Sequence, residues 1–239
     1  MKIARYLQRF WPVYSVVLLC TFLAAIIGSM SITALTVAPA APRRCVIIDA
    51  GHGGEDGGAT AHNGVHESNI NLELALRLQD IMRFLGMKTL MIRTDDISVY
   101  TEGTTIAAKK VSDLKERVRI VNSLENPILI SIHQNHFAES KYSGAQVFYP
   151  NTGGSKVLAG QLQNALISTV NPGSNRQCKK ADSVYLMQHI QCTGVLVECG
   201  FLSNPGESAK LQTEAYQKKL CCVIASVFSQ YLGQNTDFA

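Results

Sequence analysis

The chain has 239 residues, 46% hydrophobic and 17% charged, which excludes a disordered protein and leaves room for one folded domain with an appendage. Its formal net charge of +4 is unevenly spread: residues 1–40 carry Lys2, Arg5 and Arg9 and no acidic group, and the rest is nearly balanced. No nucleic-acid partner is indicated by that distribution.

No charged residue lies between Arg9 and Arg43. The apolar run Val13–Ala38 exceeds the roughly 20 residues a helix needs to cross a bilayer, whereas a signal peptide has an apolar region of about 7–15. Residues 1–38 therefore read as a basic cytoplasmic segment and a transmembrane anchor. The sequence Ala38-Pro39-Ala40 keeps a cleaved signal peptide as the alternative. The basic end should stay in the cytoplasm, which puts the remainder of the chain on the extracytoplasmic side of the cell membrane. Residues 39–44 read as a linker, 45–233 as one domain and 234–239 as a tail.

Within the domain, apolar runs predict strands at Cys45–Ala50, Lys88–Thr94, Ile128–His133, Ala145–Pro150, Ser183–Met187 and Gly194–Gly200. Helices are predicted at Asn69–Gly86, from the spacing of Leu74, Leu78, Ile81 and Leu85, and at Asp113–Leu124, from Leu114, Val118 and Val121. Two more are predicted at Ser155–Thr169 and at Glu214–Leu232, where Leu220, Ile224, Val227 and Tyr231 share a face. Asp95–Asp113 lacks a pattern and reads as a surface loop, and Ser203–Glu207 as a turn and helix start. Several strand runs are continuously apolar, as expected for a sheet covered on both faces. The alternation of strand and helix predicts a single α/β domain with a mostly parallel or mixed central sheet flanked by helices. The seven cysteines include no CxxC pair, so they read as small buried hydrophobes rather than a disulfide framework or a cysteine zinc site.

Three of these strands end on side chains that bind metals or carry protons. Cys45–Ala50 leads into His52, Ile128–His133 ends on His133, and the run from Gly194 reaches Glu198. Ligands gather at the carboxyl ends of strands in open α/β sheets. Glu67 stands at the start of the first helix, on the same edge. Two histidines and a carboxylate make an open zinc set, which leaves a place for water and lowers its pKa. A further carboxylate can then move the water's proton. His66 and His136 are rival ligands, and the strand is expected to stop at His133. His62 and His189 read as surface residues. Asp49 reads as a partner that orients a ligand histidine. Gly53, Gly54, Gly57 and Gly58 lack the spacing of a phosphate or dinucleotide loop and read as sites of unusual backbone angles and close approach.

The segments "IDAGHGGEDGGA", "ESNINLELALRL", "LMIRTDD", "LKERVRIVN", "LISIHQN" and "VLVECGFLSN", in that order, resemble zinc-dependent N-acetylmuramoyl-L-alanine amidases of the type-3 fold. The resemblance covers nearly all of residues 45–232. It implies Zn2+ held by His52, Glu67 and His133, with Glu198 as catalytic acid/base. It implies hydrolysis of the amide between N-acetylmuramic acid and L-alanine in peptidoglycan. It is nearest to the sporulation and spore-cortex amidases, which makes an activating protein partner plausible. Ala50 and Thr193 stand where proline is common in the family, and His136 where a small residue is usual. Arg93, Arg117 and Asn135 match family positions, for structure or substrate contact. The competing readings are another zinc peptidase or amidohydrolase, and a catalytically silent wall-binding regulator.

Overall fold

The structure, a computed structural model, describes residues 21 and 44–234. The expected anchor and tail lie almost wholly outside those residues. Among the described residues no helix is long and apolar enough to cross a membrane.

The unit Ala41–Ala239 is an α/β domain. Its elements are β1 (Val46–Ala50), α1 (Glu67–Phe84), β2 (Thr89–Met91), α2 (Ile106–Asn122), β3 (Ile128–Asn135), β4 (Gln146–Tyr149), α3 (Ser155–Thr169), β5 (Lys179–Lys180), α4 (Tyr185–His189), β6 (Thr193–Phe201), α5 (Pro205–Leu211) and α6 (Glu214–Gln234). The strands form one sheet in the order β2-β1-β3-β6-β4-β5. Neighbours run parallel from β2 to β6, and β4 is antiparallel to β6, so the sheet is mixed.

Successive strand residues face opposite sides of the sheet, and both sides are covered. Val46, Ile48, Ile128, Ile130, Val195 and Val197 pack against α1, α3 and α6 through residues such as Leu74, Leu162 and Phe228. Ile47, Leu129 and Leu196 pack the other way, onto Val121 of α2 and Leu186 and Met187 of α4. Burial on both faces explains why the runs are apolar throughout.

Some elements differ from expectation. Ser183–Met187 is not a strand; the segment enters α4, which buries the adjacent residues Leu186 and Met187 on one side. A short apolar run carries no period that separates the two states. The expected loop Asp95–Asp113 becomes helical at Ile106, where Thr105 caps α2 by accepting from Ala108 N at 3.2 Å. Ile106 and Val111 are exposed, and the first half of α2 buries Ser112 and Asp113, so it carries no apolar stripe ahead of Val118 and Val121, which pack toward the sheet. β3 continues past His133 to Asn135, with a register irregularity between those residues. The predicted helix start after Ser203 is α5, with Pro205 in its first turn and Asn204 Oδ1 accepting from Glu207 N at 3.0 Å. The described cysteines are all free, and Cys45, Cys199 and Cys221 are buried.

Glu207 pins the carboxyl end of β6 to the segment that leads into β4. Its carboxylate accepts from Gly144 N at 2.9 and 3.0 Å and from Phe201 N at 2.8 Å, joining the approach to β4 with the end of β6. Both amides lose their acceptor in Glu207→Ala. Urea unfolding should show a loss of roughly 2–3 kcal/mol; an unchanged midpoint would show that water replaces the carboxylate at no cost.

Candidate metal centre and active site

β1 stops at Ala50, and the chain turns through a glycine loop that presents His52. A Cβ on Gly51 would lie 2.2 Å from Cε1 and Nε2 of His133, so only glycine leaves room for that ring. His52 itself has φ 62°, a left-handed conformation that is uncommon outside glycine. Gly53 and Asp56 then exchange backbone hydrogen bonds of 2.9 and 3.2 Å. The tight turn returns the Asp56 carboxylate to His52 Nδ1 at 2.9 Å and leaves Nε2 facing Glu67 Oε1 at 3.4 Å. Gly58, at φ 67°, passes so close that a Cβ there would meet Glu67 Oε2 at 2.7 Å and His52 Cδ2 at 2.8 Å.

Glu67 opens α1 and is buried. Its Oε2 accepts from Ala59 N at 3.0 Å. Its Oε1 accepts from Gln134 N at 3.0 Å and Asn71 Nδ2 at 3.2 Å, and lies 3.1 Å from His133 Nδ1. The Asn71 side chain also donates to Gly51 O at 3.2 Å and receives Gln134 Nε2 at 3.1 Å. His52 and His133 meet edge to face with centroids 5.0 Å apart. One potential ligand atom from each of His52, Glu67 and His133 lies within 4.8 Å of the others, so the three could hold a metal ion. The donor set suits one: two imidazoles and a carboxylate converge, and Asp56 takes the second nitrogen of His52, as carboxylates do behind metal-bound imidazoles.

The electrostatics agree. Burial disfavours charge on His52, but hydrogen bonds to Asp56 and Glu67 outweigh it and raise its pKa to about 9. Burial likewise works against the Glu67 carboxylate, yet the two histidines hold its pKa far below the usual range. Carboxylates thus create a field that favours positive charge at this point.

Glu198 is the register partner of His133 on the adjacent parallel strand, and strand spacing puts their backbones about 4.8 Å apart. Its Oε2 is covered and has no hydrogen-bond partner. Burial pushes its pKa up to about 7. A carboxyl poised near neutrality can both take and give a proton.

The other candidates stand apart from this group. His66 and His136 are exposed, and His66 Nδ1 meets Thr60 Oγ1 at 3.2 Å. His62 and His189 are exposed, as expected for surface residues. Asp49 does not touch a histidine: it accepts from Arg117 Nη1 and, at 2.6 Å, from Ser131 Oγ. Arg93 and Arg117 are buried and make structural bonds to the backbone around His52. Asn135 bonds through its carbonyl to Leu202 N at 2.8 Å. Sequence reasoning missed Asp56, Asn71 and Gln134. Asn71 carried a signal, since it stands one helical turn from Glu67 on the same face.

Residues 46–227 match the family model described as N-acetylmuramoyl-L-alanine amidase. A germination-specific N-acetylmuramoyl-L-alanine amidase of Bacillus subtilis is 34% identical over 200 residues, spanning 81% of this chain and 82% of that one. The CwlD amidase from Clostridioides difficile, solved in complex with the GerS lipoprotein, superposes with a TM-score of 0.76 at 38% identity, over 80% of this chain and all of that one. An N-acetylmuramoyl-L-alanine amidase from Clostridium difficile gives a TM-score of 0.71 at 28% identity, over 82% of this chain and all of that one. The chain belongs to this amidase family, and it is a hydrolase of peptidoglycan that cleaves between N-acetylmuramic acid and L-alanine.

Proposed function

We propose that this amidase uses zinc, held by His52, Glu67 and His133, with Glu198 as the acid/base. The observation that carries the reading is the covered, unpartnered Glu198 Oε2 beside the two-histidine, one-carboxylate group. An unpaired buried carboxylate is costly and calls for a role. Zinc, when bound, supplies Lewis acidity toward the scissile carbonyl and the attacking water. Glu198 takes a proton from that water at its free oxygen. The same carboxyl then hands the proton to the departing nitrogen of L-alanine, so that the amine leaves neutral. Asp56 holds His52 in the tautomer that turns Nε2 inward. Asn71 and the backbone of Gln134 fix the Glu67 carboxylate.

We further assign the chain to spore-cortex peptidoglycan, because its relatives include a germination-specific amidase. The apolar Val13–Ala38 segment would anchor it in the cell membrane, with the catalytic domain on the extracytoplasmic side. The likeness to an amidase solved with a lipoprotein supports a protein partner.

Glu198→Gln should retain stoichiometric zinc and lose activity on peptidoglycan by about 100-fold or more. Cleavage at the parental rate would refute the acid/base role. His52→Ala should lose the zinc, read by elemental analysis of the purified protein. A chelator should stop the release of stem peptides beginning with L-alanine, detected by mass spectrometry, and added zinc should restore it. Release that continues in chelator would exclude the metal. Alkaline extraction should leave the chain in the membrane pellet, whereas its recovery in the supernatant would count against the anchor.

A further inference from the structure

We infer that Arg93 and Arg117 are positioning residues that set the affinity of the centre for its metal, an inference that rests on the zinc reading above. Neither reaches the ligand atoms. Both act on the backbone that carries them. Three consecutive carbonyls at and beyond the end of β1 each receive a guanidinium N–H. Arg93 Nε donates to Ala50 O at 2.8 Å and its Nη2 to Gly51 O at 3.0 Å. Arg117 Nη1 donates to Ala50 O at 3.0 Å and its Nη2 to His52 O at 2.7 Å.

These bonds act on the ligands in two ways. His52 is held at its left-handed φ of 62° by a bond to its own carbonyl, so Arg117 offsets the strain of the ligand residue itself. Arg93 Nη2 also donates to Ser68 O at 2.9 Å. One nitrogen therefore spans the His52 loop and the residue after Glu67, and fixes the separation of two ligand-bearing segments.

Cations beside a cation site would normally repel it. Here they are compensated. Arg117 pairs with Asp49 and, at 2.6 Å, with Asp113, and Arg93 lies 3.9 Å from Asp96. Three carboxylates thus offset two guanidiniums, so the arginines supply donors without adding net positive charge. Lysine cannot substitute, because a point ammonium on a flexible stem does not present the planar fork that takes two carbonyls at once.

The test uses the full chain as parent, Arg93→Lys, Arg117→Lys and a control, Leu166→Ala, which opens a cavity in the core around α3. Zinc affinity is measured by competition with a chromogenic chelator. The thermal midpoint is measured without metal, and the visible absorption with Co2+ in place of zinc. Each lysine variant should fold, bind zinc about 10- to 100-fold more weakly and alter the Co2+ bands. Leu166→Ala should lower the metal-free midpoint and leave affinity and bands as in the parent. Affinities in the lysine variants within about twofold of the parent would overturn the inference. So would a loss of affinity that simply tracks the midpoint across all three variants. A lysine variant that does not fold would also overturn it, since the arginine would then hold the fold and not the loop. A parent that takes up neither zinc nor Co2+ would instead sink the metal reading itself.

Discussion

The site depends on one buried carboxylate. Glu67 stands at the first turn of α1 and is wrapped by donors from three separate parts of the chain: Ala59 N in the glycine loop, Asn71 on its own helix and Gln134 N on β3. Burying a carboxylate is costly unless its oxygens are satisfied. That condition is met here only when helix, loop and strand are all in place. The same contacts that make Glu67 tolerable bring His52 and His133 to within reach of it. The contacts that assemble the candidate metal centre are thus the same ones that solvate this carboxylate.

Above that centre the sheet supplies direction. β1, β3 and β6 are parallel and in register, so their carboxyl ends lie along one edge. On one face the rows change from apolar to polar along the strands: Ile47 and Leu129 are succeeded by Asp49 and Ser131, and then His133 and Glu198 stand side by side. The core and the chemistry are thus one surface read in sequence, with the apolar rows anchoring the strands that the polar rows use.

Much of this was legible in the sequence, and the reason is physical. His133 and Glu198 stand out because a greasy strand has no cause to end on such residues unless they are used. Glu67 was recognisable from its place before the apolar spacing of α1. The partners were harder to see. Asp56 acts through a tight turn in a glycine-rich loop, where no periodicity exists to place it. Asp49 could have faced a histidine as well as an arginine; Arg117 decides the matter from α2, where nothing in the spacing marks a charged residue among the buried ones. The extension of β3 beyond His133 was hidden for a similar reason, since Gln134 and Asn135 do not look like strand residues. The short helix at Tyr185–His189 shows the opposite ambiguity, an apolar run too brief for its period to speak.

The irregular register after His133 shapes what surrounds the reaction. Asn135 pairs with Phe201, so β6 takes three steps where β3 takes two, and the two strands stay joined beyond Glu198, as the bond from Leu202 N to Asn135 O shows. This side of the site is a ladder of peptide groups, continued by the aromatic contacts of Phe201 with Phe137 and Tyr142. The opposite side is held by side chains: Ser98 Oγ on Gly53 O, Lys109 on Glu55 and Lys110 on Asp56. One side of the site is masonry and the other is rigging. Substitutions can re-rig the second without disturbing strand pairing, whereas the first is tied to the sheet itself and moves only with it.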